Sequence, residues 1–147
     1  MKISGSHTLA APSEKVYALM QDPDVLARAI PGCESLEKIG EDEYRMKMKM
    51  ALASFSGAFE GKVRITDQNP PQSFRLIVEG SGKLGFMKGD GLLKLVAGGD
   101  GTEVSYEGDA QVGGTMAAVG QRLIDGTAKM LIKKFFEKLA EEAAAAG

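Results

Sequence analysis

Gly108-Asp109-Ala110-Gln111-Val112-Gly113-Gly114 closes a run of alternating apolar and polar residues, and the chain from about Thr115 to Ala145 then reads as one long amphipathic helix. At 1.5 Å rise per residue, about 30 helical residues span ~45 Å, more than a domain of this size needs to cap a sheet. A sheet that curls around such a rod encloses a space. What fills that space becomes the functional question.

Working back from this stretch, period-2 alternation dominates. Val104, Tyr106, Gly108, Ala110 and Val112 share one face of the last strand, and Glu103, Ser105, Glu107, Asp109 and Gln111 the other. Gly98-Gly99-Asp100-Gly101 reads as the hairpin turn before it, preceded by a weaker strand over roughly Lys88 to Val96. Phe74, Leu76 and Val78 mark another strand, set off by the breaker Asn69-Pro70-Pro71. Phe55, Gly57, Phe59, Gly61, Val63 and Ile65 alternate with polar residues in the strand before that. The clearest alternation sets Tyr44, Met46, Met48, Met50 and Leu52 against Arg45, Lys47 and Lys49. Leu36 and Lys38 begin the strand that turns at Gly40-Glu41-Asp42. At the start, Ile3, Gly5, His7 and Leu9 form a first strand. Pro12-Ser13-Glu14 opens a helix, and Asp22-Pro23 caps a second short one. The order is β-α-α-β-β-β-β-β-β-α, an α+β antiparallel meander in a single domain, 1–147, whose terminal helix buries its stripe on the apolar face.

Composition narrows the function. A net charge of -2 supplies no field that attracts nucleic acid. The single cysteine, Cys33, excludes an internal disulfide. Without an apolar signal core or a run near 18 apolar residues, the reading is a soluble, cytoplasmic protein. One histidine and one cysteine cannot supply three or four good metal ligands, and no phosphate-binding glycine loop precedes a helix with the required lysine. No cofactor and no catalytic residue are therefore expected. By contrast, 8 methionines and 19 glycines stand out, the first adaptable and apolar, the second leaving inward strand positions unfilled. Methionine also packs ordinary cores, and strand glycines also form bulges that curve a sheet, so both readings stand at this level. His7 reads as a wall or packed histidine more readily than as a general base, because no acid partner faces it. Cys33 reads as a buried thiol.

Several motifs resemble the CoxG family of carbon monoxide dehydrogenase. They are Ile3-Ser4-Gly5-Ser6, Ala11-Pro12-Ser13-Glu14-Lys15-Val16-Tyr17, Ile30-Pro31-Gly32-Cys33-Glu34, Phe59-Glu60-Gly61-Lys62-Val63, Pro70-Pro71 before Phe74, Val112-Gly113-Gly114 and Arg122-Leu123-Ile124-Asp125-Gly126. The resemblance runs from residue 3 to about 138 and implies the helix-grip (START-like, Bet v 1-like) fold. At His7 the family pattern has an aromatic, and many relatives extend further at the C-terminus. The resemblance implies an accessory component of a carbon monoxide dehydrogenase-like molybdenum enzyme, aiding its membrane recruitment or electron exchange. With an apolar pocket, the implied guest is a membrane quinone or other isoprenoid lipid. A cyclase or dehydratase using His7 and Tyr106, and a docking protein with a filled core, are the alternatives.

The expected pocket wall comprises His7, Tyr17, Met20, Leu26, Ile30, Met46, Met48, Met50, Phe55, Phe59, Phe74, Leu76, Phe86, Tyr106, Met116, Val119, Leu123 and Met130. On the last helix, Val119, Leu123, Met130, Leu131, Phe135 and Leu139 form the expected apolar stripe. Arg122, Lys129, Lys133, Lys134 and Lys138 lie on or beside its polar face; with Glu137, Glu141 and Glu142 interleaved this reads as a solvated face, with contact to anionic lipid as the alternative.

Overall fold

The structure is a computed structural model that describes residues 1–52 and 55–145, with the side chains of 51, 52 and 55 excepted. It opens with strand β1 (Lys2–Leu9) and helices α1 (Ser13–Met20) and α2 (Pro23–Ala29). Six strands follow: β2 (Cys33–Gly40), β3 (Glu43–Leu52), β4 (Phe55–Asn69), β5 (Ser73–Gly82), β6 (Gly85–Gly98) and β7 (Gly101–Gly113). A six-residue 3-10 turn (Gly114–Val119) and helix α3 (Gln121–Ala145) complete the described residues. The element order is the one the alternation predicts. All pairs are antiparallel in one sheet of order β1-β7-β6-β5-β4-β3-β2, so β1 closes onto the last strand rather than its sequence neighbour.

Local chemistry explains the joints. The Asp22 carboxylate accepts from the Asp24 amide at 2.9 Å and caps α2, with Pro23 in its first turn. Pro12 is the N-cap residue of α1. A buried hydroxyl pair, Ser13 and Thr102 at 3.1 Å, ties α1 to β7, and Thr102 also donates to the Ala11 carbonyl at 2.8 Å. Arg28 on α2 holds Glu142 on α3 with two parallel bonds, at 2.6 and 3.1 Å, a bidentate pair that fixes where the long helix lies.

The long terminal helix differs from expectation in its first turns. It does not begin at Thr115: a 3-10 turn occupies Gly114–Val119, and Gly120 at φ +99°, a conformation costly for any residue with a Cβ, separates it from α3. Twenty-five α-helical residues remain, about 37 Å. The break resets the helical phase. The buried side of α3 is Ile124, Phe136, Leu139 and Ala143, with Leu131, Ile132 and Phe135 beside it. Leu123 and Met130, placed on the stripe by the sequence pattern, stand on the opposite side, 41% and 45% exposed.

Curvature comes from paired glycines. Gly61 faces Gly80 across β4 and β5, and Gly91 faces Gly108 across β6 and β7. A Cβ on Gly61 would collide with the Glu79 carbonyl oxygen, and one on Gly108 with that of Asp90. Backbones approach there as only glycine allows, and the sheet bends.

Candidate functional site

The inner face of the sheet holds two apolar clusters, with Ile30, Leu36 and Leu76 packed against both. One gathers Leu9, Val16, Tyr17, Met20, Leu26, Phe74, Leu93, Val104, Phe136 and Leu139 beneath α1, α2 and the C-terminal half of α3. The other joins Met46, Met48, Phe59, Val63, Met116 and Ile124 at the far end. Alternation in the strands decides both, because each contributing strand residue sits at an inward register position.

Along the middle strands the inner face is only partly buried, with Leu76 packed against both clusters and Val78, Met87 and Val112 against the second. Leu76, Val78, Met87, Tyr106, Ala110 and Val112 point inward yet are only partly buried. So are Thr127, Ala128, Leu131 and Ile132 on α3. The helix backbone comes closest to α2, α1 and part of β3, and its Phe136 and Leu139 pack in the cluster that holds Leu93 and Val104 of the middle strands. At the centre of this belt Gly89 and Gly91 present bare backbone. A Cβ on Gly89 would have one neighbour within 4 Å, the Asp109 carbonyl oxygen at 4.0 Å, and one on Gly91 would meet the Glu107 carbonyl oxygen at 3.7 Å. Added side chains would enter open space there, unlike at Gly61 or Gly108.

The expected wall residues sort into groups. Tyr17, Met20, Leu26, Met46, Met48, Phe59, Phe74 and Met116 are buried within the clusters. His7, Ile30, Met50, Leu76, Tyr106 and Val119 are partly buried. Phe55 lies outside the described side chains. Phe86 is a correction: the alternation that turns Met87 and Gly89 inward turns Phe86 outward, where its ring covers Gly113 and is 42% exposed. Leu123 and Met130 leave the wall for the reason of helical phase given above. Val78, Met87, Val112 and Ile132, absent from the expected wall, face the belt. For the strand residues, the parity that placed Leu76 and Gly89 contained that signal.

One end of the belt is aromatic. His7 stacks on Phe136 with centroids 4.4 Å apart and planes 16° apart, and Tyr106 lies near-parallel to both at 6.1 and 5.9 Å. His7 forms no hydrogen bond or ion pair among the described residues. Burial raises the Tyr106 hydroxyl above the ordinary phenol range. The Tyr17 hydroxyl instead donates to the Ser73 carbonyl at 2.9 Å. Cys33 is partly buried, donates to the Ser35 carbonyl at 3.5 Å, and is held in its thiol form by burial. Two grooves open elsewhere. One, of about 380 Å³, lies at the β3–β4 hairpin beside Met50 and Gly57; the other, of about 310 Å³, lies among Arg45, Lys62, Glu79 and Phe86. No cluster that could hold a metal ion occurs among the described residues, and none of their helices is long and apolar enough to cross a membrane.

Known proteins share this geometry. A conserved protein from Geobacillus kaustophilus is 37% identical, with 99% of this chain and 97% of that chain covered and a TM-score of 0.95. A START superfamily protein from Mycobacterium smegmatis superposes with a TM-score of 0.75 at 12% identity, with 99% of each chain covered. An aromatase/cyclase from Streptomyces sp. R1128 gives a TM-score of 0.66 at 11% identity, covering 98% of this chain and 93% of that one. The last two likenesses carry the fold alone, which is START-like and Bet v 1-like. No curated protein matches. The family model for CoxG, a subunit of carbon monoxide dehydrogenase, matches residues 5–144. Family and fold together suggest a site for a hydrophobic ligand. The chain belongs to the CoxG family of carbon monoxide dehydrogenase.

Proposed function

We propose that this protein binds a lipophilic small molecule, a membrane quinone or another isoprenoid lipid, along the belt between its two apolar clusters. The observation that carries the reading is the row of inward, partly exposed apolar side chains, Leu76, Val78, Met87 and Val112, beside the bare backbone of Gly89 and Gly91. Burying each guest methylene there contributes about 0.8 kcal/mol, so one five-carbon isoprenoid unit contributes about 4 kcal/mol before ordering costs. Family membership supports an accessory role, at the cytoplasmic face of the membrane, for a carbon monoxide dehydrogenase-like molybdenum enzyme. Native mass spectrometry of the purified protein, followed by titration with menaquinone and ubiquinone, tests the guest. Finding no co-purified lipid and no binding of either quinone would refute it.

Guest exchange with an anionic bilayer is part of the same proposal. Leu123 and Met130, seven residues apart on the outer side of α3, sit among the exposed cations Arg122, Lys129, Lys133 and Lys134. Apolar residues rimmed by lysine and arginine suit an anionic lipid surface. Flotation with vesicles containing phosphatidylglycerol, but not with phosphatidylcholine alone, is expected, and Leu123→Asp with Met130→Asp should abolish it. An acid–base enzyme would depend on His7 and Tyr106. His7 is stacked flat on Phe136, which favours binding over proton transfer.

A further inference from the structure

The aromatic end of the belt differs from the rest of it. Three rings, His7, Tyr106 and Phe136, share one orientation within 13 to 19°. Along the sheet side of the belt, Leu76, Val78, Met87, Ala110 and Val112 offer no hydrogen-bond donor, whereas Tyr106 carries a hydroxyl. That hydroxyl has no hydrogen-bond partner among the described residues. Its position depends on Gly5, which faces it across β1 and β7: a Cβ on Gly5 would come within 2.8 Å of the ring carbon bearing the hydroxyl and nearer still to the oxygen. Real Cβ atoms do not approach that closely, so the tyrosine lies where it does only because residue 5 has no side chain.

We infer that the Tyr106 hydroxyl, laid over Gly5 and flanked by the parallel rings of His7 and Phe136, is a docking point for the head group of the guest. The guest class is then an apolar chain ending in a flat ring that bears a carbonyl or hydroxyl oxygen. The rings supply a surface of matching orientation for the flat head, since aromatic pairs favour offset stacking at 4.5–7 Å. The O–H supplies one directional bond in a low-dielectric setting, where an unpaired polar atom on either side is costly. The chain of the guest extends away from the rings along Leu76, Val78 and Val112. This inference rests on the binding reading above and adds the orientation and the chemistry of the head.

The test compares two probes on the intact protein: menaquinone, with an oxygenated flat head, and squalene, an isoprenoid hydrocarbon without oxygen. Tyr106→Phe keeps the ring and removes only the donor. It is expected to weaken menaquinone binding about tenfold while leaving squalene binding and the melting temperature unchanged. Gly5→Ala, which displaces the tyrosine without removing its hydroxyl, is expected to reproduce the selective loss. If Tyr106→Phe weakens both probes equally or neither, the docking role is overturned while the apolar belt stands. If the wild-type protein binds neither probe, the belt itself is not a binding site and the inference falls with it.

Discussion

Gly89→Val separates an unfilled belt from a merely curved sheet. Gly89 is an inward position on β6, between Val78 and Ala110, and a Cβ there has one neighbour, at 4.0 Å. Glycine inside a strand is destabilising by about 0.5–1 kcal/mol relative to alanine. Two further methyl groups, half-buried, add about 0.8 kcal/mol together at ~0.8 kcal/mol per fully buried carbon. Gly89→Val should therefore raise unfolding stability by about 1–2 kcal/mol, or roughly 3–6 °C in melting temperature for a chain of this length. The same side chain occupies the belt and should weaken menaquinone binding at least about tenfold. Gly108→Val, inward on β7, meets the opposite fate: its Cβ runs into the Asp90 carbonyl and the Gly91 backbone, neither of which can swing aside. Overpacking of this kind costs about 1–3 kcal/mol. Circular dichroism melts and quinone titrations of both variants read the contrast. A Gly89→Val protein that melts below wild type, or that binds guest unchanged, would refute the reasoning.

Other expectations follow from the joints of the fold. Thr102→Val leaves the Ala11 carbonyl and the Ser13 hydroxyl without their buried partner and should cost about 1–3 kcal/mol in urea unfolding. The Arg28 guanidinium holds the Glu142 carboxyl below its ordinary pKa. Its stabilising effect is present above the unfolded-state value of 4.5 and is lost as pH falls through the lower folded-state value. Melting temperature measured from neutral pH down to about pH 3 should fall less steeply in Glu142→Gln than in wild type. Gly120→Ala forces a Cβ into φ +99° and should destabilise by about 1 kcal/mol, read by thermal melts.

Much of this architecture is legible in the sequence because strand alternation is a strong signal. Tyr44, Met46 and Met48 against Arg45 and Lys47 fix a face with no competing reading, and the observed pairing of Met46 with Gly61 follows from it. The helix is harder. Leu123 and Met130 look like stripe positions if helical phase runs unbroken from Thr115. The 3-10 turn and Gly120 shift that phase, and nothing in composition marks a 3-10 turn from an α-helical one. Phe86 is easily misplaced because an aromatic near a weak strand invites an inward reading, although its parity with Lys88 and Asp90 points outward. The belt itself depends on where α3 lies over the sheet. Arg28 and Glu142 contribute to that placement from positions 114 residues apart, a separation no local pattern reveals.

The division of the apolar interior into two clusters has a consequence for how the protein can be retuned. Each end carries its own anchor, and Leu76 packs against both and Val78 against the second, whereas positions 89, 91 and 110 are middle positions with no side chain packed on either. Residues there can be exchanged for larger or smaller ones with neither anchor disturbed. A single scaffold of this kind accommodates guests of different girth through a handful of substitutions along one trough.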